Sequence, residues 1–273
     1  MKIIFPMAGL GTRFKKVAEQ NPEYQKPKPF ISVRGFPMIR WASASLPFLE
    51  HPGRKVKNKN RVKPADVTFV ILKEHDTEHG LETKLKEIYS DEIHVVKLDK
   101  LTRGAAETAY SARDFIDPED DLIISDSDHF FDGSFLAKLI ETKGPDTAGI
   151  IPVFRARNEG IPKWSYTLTK PGSDYAEKVA EKDRELMEAG AYANIGAYYF
   201  SKGKHFMDLA EEIIRKNKTF GAPGKGEFYI APLFQELIAK GLKVQVAVIP
   251  EVWGLGTPED LEYFLKNCPI NKI

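Results

Sequence analysis

The chain is poor in several features, and each shortage excludes something. A single cysteine, Cys268, stands among 273 residues, so no internal disulfide can form and a reducing compartment suffices. No stretch approaches the ~20 consecutive apolar residues of a membrane span. The apolar start of the chain is broken by Pro6 and then by glycines, too early for the h-region of about 7–15 residues in a signal peptide. Neither sign of charge is in excess: 40 Lys+Arg against 39 Asp+Glu leave a formal charge of +1, which gives no global attraction to nucleic acid or to an anionic membrane. No Gly/Ser linker divides the chain, no segment repeats, and no Ser–His or Cys–His arrangement offers a covalent nucleophile. The expectation is a cytoplasmic protein of one domain, 1–273, whose 42% hydrophobic content suffices for an ordinary core.

What is present alternates. Short apolar, β-branched runs at Lys2–Phe5, Val67–Leu72, Ile93–Leu98 and Leu122–Ser125 read as strands. Helical patterns at Pro37–Leu49, Glu74–Tyr89 and Ala105–Phe115 lie between them. That alternation predicts an α/β fold with a mostly parallel sheet. After about residue 146 the texture changes. Thr147–Phe154, Ser165–Thr169, Glu177–Glu181 and Ala193–Phe200 read as strands with little helix between them. Helices at Lys202–Lys216 and Glu227–Lys240, a strand at Lys243–Ile249 and a helix at Pro258–Lys266 follow. The basic segment 51–63 has no aromatic residue for base stacking, so it reads as a solvated loop rather than a nucleic-acid patch.

The strongest local feature is Phe5-Pro6-Met7-Ala8-Gly9-Leu10-Gly11-Thr12-Arg13-Phe14, directly after the first strand. Glycines at a strand end let successive N–H groups face an anion, and a helix starting near Arg13 would add its positive end. Phosphate is the natural guest. A dinucleotide fingerprint needs a third glycine where Phe14 stands, and a P-loop needs Gly-Lys-Ser/Thr, which is missing. Lys28 follows in the proline-stiffened loop Gln25-Lys26-Pro27-Lys28-Pro29-Phe30, placed to neutralise phosphate charge, with Lys26 read as an ordinary surface lysine. Asp126 and Asp128 come immediately after the apolar run Leu122–Ser125. Ligands in open α/β sheets sit beyond the carboxyl ends of strands, and two carboxylates there suit Mg²⁺, which takes one or two carboxylates plus substrate phosphates.

With these residues in order, the chain resembles the nucleotidyltransferase family of sugar-phosphate pyrophosphorylases. The likeness runs along nearly the whole chain. It rests on Gly9–Phe14, Pro27-Lys28-Pro29, Gly35–Ile39, Asp128, Glu181-Lys182, Ala193–Phe200, Gly226-Glu227-Phe228-Tyr229 and Gly256-Thr257-Pro258-Glu259-Asp260. The resemblance implies a GT-A-like, Rossmann-type three-layer α/β/α fold with a nucleotide-binding half, about 1–146, and a β-rich acceptor-binding half, about 147–273. It implies that Ala8, Gly9, Leu10, Gly11 and Thr12 cradle an NTP, with Arg103 and Gly104 against its base. Arg13 and Lys28 would act on the phosphates, and Asp128 with Asp126 would hold Mg²⁺. Glu181, Lys182, Asn194, Gly196 and Glu227 would line the site of a small phosphorylated acceptor, by default a sugar 1-phosphate. The Gly-Glu-Phe-Tyr run is closest to a small bacterial branch that makes surface-polymer precursors and includes cytidylyltransferases.

Two departures qualify the resemblance. Better-known members carry an aspartate two residues before the late Gly-Thr, as a second metal ligand, and here Gly254 occupies that position. The second ligand is then moved to Glu227 or Asp126, or replaced by water. Arg103 also stands where a glutamine is common, which leaves the base open. A non-sugar phosphate or phosphonate acceptor stays open as well, as do a glycosyltransferase using Asp126-Ser127-Asp128 and a non-catalytic nucleotide sensor. No nucleic-acid or membrane partner is expected, and homo-oligomerisation is left open.

Overall fold

The computed structural model describes residues 1–50, 55–56, 60–157, 160–221, 226–270 and 273. Its strands are β1 (Lys2–Pro6), β2 (Ser32–Val33), β3 (Phe36–Pro37), β4 (Val67–Leu72), β5 (His94–Leu98), β6 (Leu122–Ser125) and β7 (His129–Phe131), followed by β8 (Thr147–Phe154), β9 (Ser165–Thr169), β10 (Ala176–Glu181), β11 (Tyr192–Asn194), β12 (Ala197–Phe200), β13 (Lys243–Val248) and β14 (Val252–Gly254). The helices are α1 (Thr12–Lys15), α2 (Met38–Ala44), α3 (Lys73–His79), α4 (Leu81–Ile88), α5 (Ala105–Tyr110), α6 (Ser134–Thr142), α7 (Arg184–Glu188), α8 (Gly203–Arg215), α9 (Ala231–Ala239) and α10 (Pro258–Asn267). Among the described residues no helix is long and apolar enough to cross a membrane.

One sheet runs through both halves in the order β10-β9-β11-β8-β12-β6-β1-β4-β5, with β13 also paired to β8. The pairs β6–β1, β1–β4 and β4–β5 are parallel, and the β-rich half continues the sheet through mainly antiparallel pairs. Period-2 alternation sends neighbouring side chains to opposite faces. Ile3, Phe5, Ile123 and Tyr199 join one core with Leu81, Leu85, Leu136 and Ile140 from α4 and α6. Ile4, Leu122, Ile124, Tyr198 and Phe200 join the other with Ala106, Phe206 and Phe234 from α5, α8 and α9. The fold is therefore a three-layer α/β/α arrangement, as the sequence led us to expect. Tyr198–Phe200 are core residues.

Several boundaries differ from the sequence reading, each for a local reason. The helix expected over Glu74–Tyr89 is two, parted at Gly80, whose φ of 62° ends α3 and opens α4. The strand expected over Ala193–Phe200 is also two, parted at Ile195-Gly196. The helix expected from Glu227 begins only at Ala231, because Glu227 pairs instead with Phe220. The expected helix Ala105–Phe115 ends as α5 at Tyr110 and is followed by a 3₁₀ turn, Arg113–Phe115, and Pro37–Leu49 contracts to α2. Most of the basic segment 51–63 lies outside the described residues. Val62, at its end, returns to the core through backbone bonds to Phe48 and Glu50.

A third cluster welds the chain ends together. Phe14, Tyr24, Trp41, Phe130, Trp253, Leu255 and Phe264 pack as one group, with Trp41 edge-on to both Phe130 and Phe264. Above it, the two-residue turn between β2 and β3 has positive φ at both positions, Arg34 at 50° and Gly35 at 83°, the geometry that matches strand twist in a hairpin. From this turn the Arg34 guanidinium donates to the carbonyls of Leu265 and Cys268, each at 2.9 Å, and to that of Ile270. It also lies 5.1 Å from the centroid of the Phe264 ring. A cation on the orphan carbonyls at a helix end stabilises it. Arg34→Ala is expected to lower stability by about 1–2 kcal/mol, read as a lower urea midpoint at unchanged slope. An unchanged midpoint would mean that this strap contributes nothing.

Candidate active site

The strand registers carry one row across the sheet. Ile4 pairs with Ile124, Ser125 with Ala197, Asn194 with Val153 and Glu181 with Ser165. The carboxyl ends of β1 and β6, the break between β11 and β12, and the end of β10 therefore sit along one rim of the sheet. Residues from 4 to 182 reach the same rim because strand pairing, not chain proximity, sets their height.

At β1 the rim carries the glycine loop, which has no regular structure from Met7 to Gly11. Gly9, Leu10, Thr12 and Arg13 are exposed, while Ala8 is buried. Gly11 packs against Lys28, whose Cβ lies 3.4 Å from where a side chain at 11 would begin. A helix does start here, but α1 is only four residues long. The aligned dipole expected behind the loop is therefore reduced to one turn, and the loop's own N–H groups are what remain for an anion. Lys26 is paired with Glu23 on the surface.

At β6 the rim carries the two aspartates. Lys28 Nζ donates to Asp128 Oδ2 at 2.7 Å, joining chain positions 100 residues apart. Burial works against ionisation of Asp128, but the Lys28 charge and hydrogen bond, with His129 and Arg13, outweigh it and hold the carboxyl below its usual range. Asp126 is pushed the other way, by burial and then by the Asp128 charge, as expected for a close like-charged pair. His129 is buried beside them, with burial pulling its pKa down to about 4, and Nδ1 has no partner.

Two carboxylates at a strand end, one of them raised by its neighbour's charge, are a donor set that a hard divalent cation fits. Asp128 and Asp126 are the residues that would hold Mg²⁺. No three His, Cys, Asp or Glu converge among the described residues, so Glu227 does not join the pair, and phosphate oxygens or water would complete the shell. The short sheet β7–β14, which sequence reading missed, fixes this corner: Gly254 pairs with His129, and Leu255 N–H donates to the Asp128 carbonyl. A Cβ at Gly256 would lie 2.7 Å from Asp128 Oδ2, so position 256 leaves room for that carboxylate. A Cβ at Gly254 would lie 3.5 Å from Asp260 Oδ2, which places an aspartate from α10 beside the position lacking one.

On the far side of the rim, Glu181 has a side chain only 6% exposed. Burial raises its pKa, and the Ser165 hydroxyl donates to it. Lys182 Nζ lies 3.5 Å from Glu181 Oε1 and donates to the Tyr229 hydroxyl at 2.9 Å. Asn194 accepts from the Thr167 hydroxyl at 2.7 Å, while its buried Nδ2 has no partner. Gly196 lies under Asp126, accepting its N–H at 2.8 Å. The sequence reading took Ser165 and Thr167 only as strand residues and Tyr229 only as part of the Gly-Glu-Phe-Tyr run, because a hydroxyl in such a pattern carries no signal of its own. Arg103 turns its guanidinium onto Glu107 and the Phe228 ring, and Gly104 abuts the Phe228 backbone.

No protein-family model matches the chain, and no curated protein does. Solved structures do. A nucleoside-diphosphate-sugar pyrophosphorylase from Vibrio cholerae superposes on 97% of this chain and 100% of its own, with 22% identity and a TM-score of 0.71. A protein described as a glucose-1-phosphate thymidylyltransferase from Bacillus anthracis covers 100% of this chain and 98% of its own, at 16% identity and a TM-score of 0.66. An inositol-1-phosphate CTP transferase from T. maritima covers 98% and 96%, at 16% identity and a TM-score of 0.65. At these identities the likeness establishes a shared fold along the whole chain.

The close approach at Gly196 gives a direct test of this geometry. Its φ is 95°, and a Cβ there would lie 2.4 Å from Asp126 Oδ2. Gly196→Ala is expected to cost about 2–4 kcal/mol from backbone strain and overpacking together, measured by thermal unfolding. Combining it with Asp126→Ala is expected to recover part of the loss, because the clash partner is removed. Strictly additive effects would show that the two positions do not touch.

Proposed function

We propose that this chain is a nucleotidyltransferase that joins an NTP to a small phosphorylated acceptor and releases pyrophosphate. The observation that carries the reading is the Lys28–Asp128 pair, set beside a glycine loop at the carboxyl rim of the sheet. The whole-chain fold shared with a sugar-nucleotide pyrophosphorylase and a CTP transferase supports it.

An oxygen of the acceptor phosphate attacks the α-phosphorus, forming a new P–O bond, while the bond to the bridging oxygen of the β-phosphate breaks and pyrophosphate leaves. A phosphate monoester is already largely ionised at pH 7, so this reaction needs no general base from the chain. Loop N–H groups from Ala8 to Thr12 bind the phosphates, and Arg13, exposed and with no ion pair among the described residues, meets the leaving pyrophosphate. Lys28 reaches the α-phosphate from its stiff proline loop. Asp128 and Asp126 would hold Mg²⁺, which when bound would supply positive charge against the phosphates. Catalysis is then positioning and electrostatic stabilisation rather than covalent chemistry.

On this reading the acceptor is a sugar 1-phosphate, held through Lys182 at its phosphate and Glu181, Asn194 and Glu227 at its hydroxyls. The products would be activated precursors of surface polysaccharide, made in the cytoplasm. A second reading, a cyclitol or other non-sugar phosphate coupled to CTP, is favoured by the inositol-1-phosphate enzyme among the fold neighbours.

The test is pyrophosphate release with Mg²⁺, screening CTP, UTP, dTTP, GTP and ATP against sugar 1-phosphates and non-sugar phosphates. Release with one pair is expected. Asp128→Asn and Lys28→Ala should each lower turnover by roughly 10²-fold in a folded protein. Nucleoside diphosphate released from a sugar nucleotide would instead identify a glycosyltransferase, and nucleotide binding without turnover a sensor.

A further inference from the structure

Lys182 is held more firmly than a surface lysine needs to be. It leaves β10 with φ of 49°, a conformation that non-glycine residues seldom adopt and that persists where the surroundings impose it. Its N–H donates to the Trp164 carbonyl at 2.9 Å. Its ammonium donates to the Tyr229 hydroxyl at 2.9 Å, stands 3.5 Å from Glu181 and lies 4.9 Å from the centroid of the Tyr229 ring. The side chain is nevertheless 44% exposed. An ammonium has three donors, and two of them face Tyr229 and Glu181.

Tyr229 is held in turn. Its hydroxyl, accepting from Lys182, donates to Glu227 Oε1 at 3.2 Å, which makes the phenol oxygen a better acceptor. One residue earlier, the fully buried Phe228 is seamed to Arg103–Ala106, the segment that on the proposed reading faces the nucleotide base. Its N–H donates to the Arg103 carbonyl at 3.0 Å, and its carbonyl accepts from Ala106 N–H at 2.8 Å. Gly104 permits the approach, since a Cβ there would lie 2.5 Å from the Phe228 nitrogen. The Arg103 guanidinium covers the Phe228 ring at 4.6 Å.

We propose that Tyr229 is a positioning residue: its hydroxyl sets the Lys182 ammonium where an acceptor phosphate is received, and its attachment through Phe228 fixes that charge relative to the nucleotide-side segment Arg103–Ala106. The inference rests on the reading that the Lys182 side of the rim takes a phosphate. Without Tyr229 the four-carbon lysine stem would sample many rotamers, and each bound phosphate would have to gather it anew. The raised pKa of Lys182, against the opposing effect of burial and with Tyr229 and Glu181 as its favourable partners, agrees with a held ammonium.

The test uses the full chain and Tyr229→Phe, which keeps the ring and removes only the hydroxyl. Lysines are trace-acetylated with acetic anhydride, and Lys182 is quantified by mass spectrometry against Lys204, which pairs with Asp208 in the first turns of α8. Removal of the hydroxyl is expected to raise Lys182 labelling roughly threefold, the size of one net hydrogen bond. Inorganic phosphate is the probe of anion binding. It should protect Lys182 in the wild-type protein, and its half-protecting concentration should rise about tenfold in Tyr229→Phe. Equal labelling in the two proteins, absence of protection in the wild type, or an unchanged half-protecting concentration would each overturn the proposal. None of these readouts needs turnover, so they stand apart from the pyrophosphate screen. Where that screen yields an active pair, the acceptor KM should rise in Tyr229→Phe with the NTP KM and saturated kcat unchanged; an unchanged acceptor KM would also overturn it.

Discussion

The rest of the site depends on one electrostatic constraint: two carboxylates at a strand end must be kept in place without collapsing into a neutral, protonated pair. Asp126 and Asp128 are separated by one residue, and burial together with the Asp128 charge raises the cost of ionising Asp126. Lys28 resolves the conflict on one side only. Its hydrogen bond and charge favour the ionised form of Asp128, while Asp126 stays against Gly196 with no cation bonded to it among the described residues. As an ion pair this contact is only partly buried and has modest value for stability. Its consequence is geometric, because it fastens the proline loop to the end of β6 and so brings the glycine loop, a cation and two acids to one place.

That fastening needs a rigid floor. The cluster of Phe14, Tyr24, Trp41, Phe130, Trp253 and Phe264 supplies it, and its members are neighbours in sequence of the residues that matter above. Phe14 follows Arg13, Phe130 follows Asp128 by two, and Leu255 precedes Gly256. Core and site residues thus stand one or two places apart in the same segments. The C-terminal helix belongs to this floor rather than to an appendage, since Arg34 from the β2–β3 turn binds the carbonyls at its end.

Much of the architecture was legible in the sequence because strand periodicity and apolar runs are local. β1, β4, β6, β8 and β9 lie where the pattern placed them. The breaks were not legible for the same reason: Gly80 and Gly196 interrupt a helix and a strand without disturbing the period on either side. β7 and β14 have three residues each, too few to show a period, yet they position Asp128 and Gly256. Of the residues named from sequence, Lys28, Asp126, Asp128, Glu181, Lys182, Asn194 and Gly196 come to the rim through pairings between residues 16 to 100 positions apart. No window of sequence contains such information; the family likeness did. Tyr229 stood in the Gly-Glu-Phe-Tyr run without a role, and only the structure separates the buried Phe228 ring from the one whose hydroxyl bonds Lys182.

The departure at Gly254 follows the same logic. A missing carboxylate in one strand need not leave a gap, because the first turn of α10 is capped by Thr257, whose hydroxyl accepts from Asp260 N–H at 3.1 Å. The cap fixes the direction of the third residue of the helix, and so the Asp260 carboxylate stands within 3.5 Å of the place where a side chain at 254 would begin. An aspartate at 254 would therefore meet a like charge at once. Glycine at 254 and aspartate at 260 are in this sense one choice rather than two. The negative charge near β14 is retained, but it is supplied by a helix start instead of a strand, and it does not converge with Asp126 and Asp128 into a three-carboxylate cluster. On the proposed reading this leaves the divalent cation with two protein ligands and makes its remaining coordination a matter for substrate phosphate and water. Metal affinity in the absence of nucleotide would then be weak, and the cation would arrive as part of the nucleotide complex.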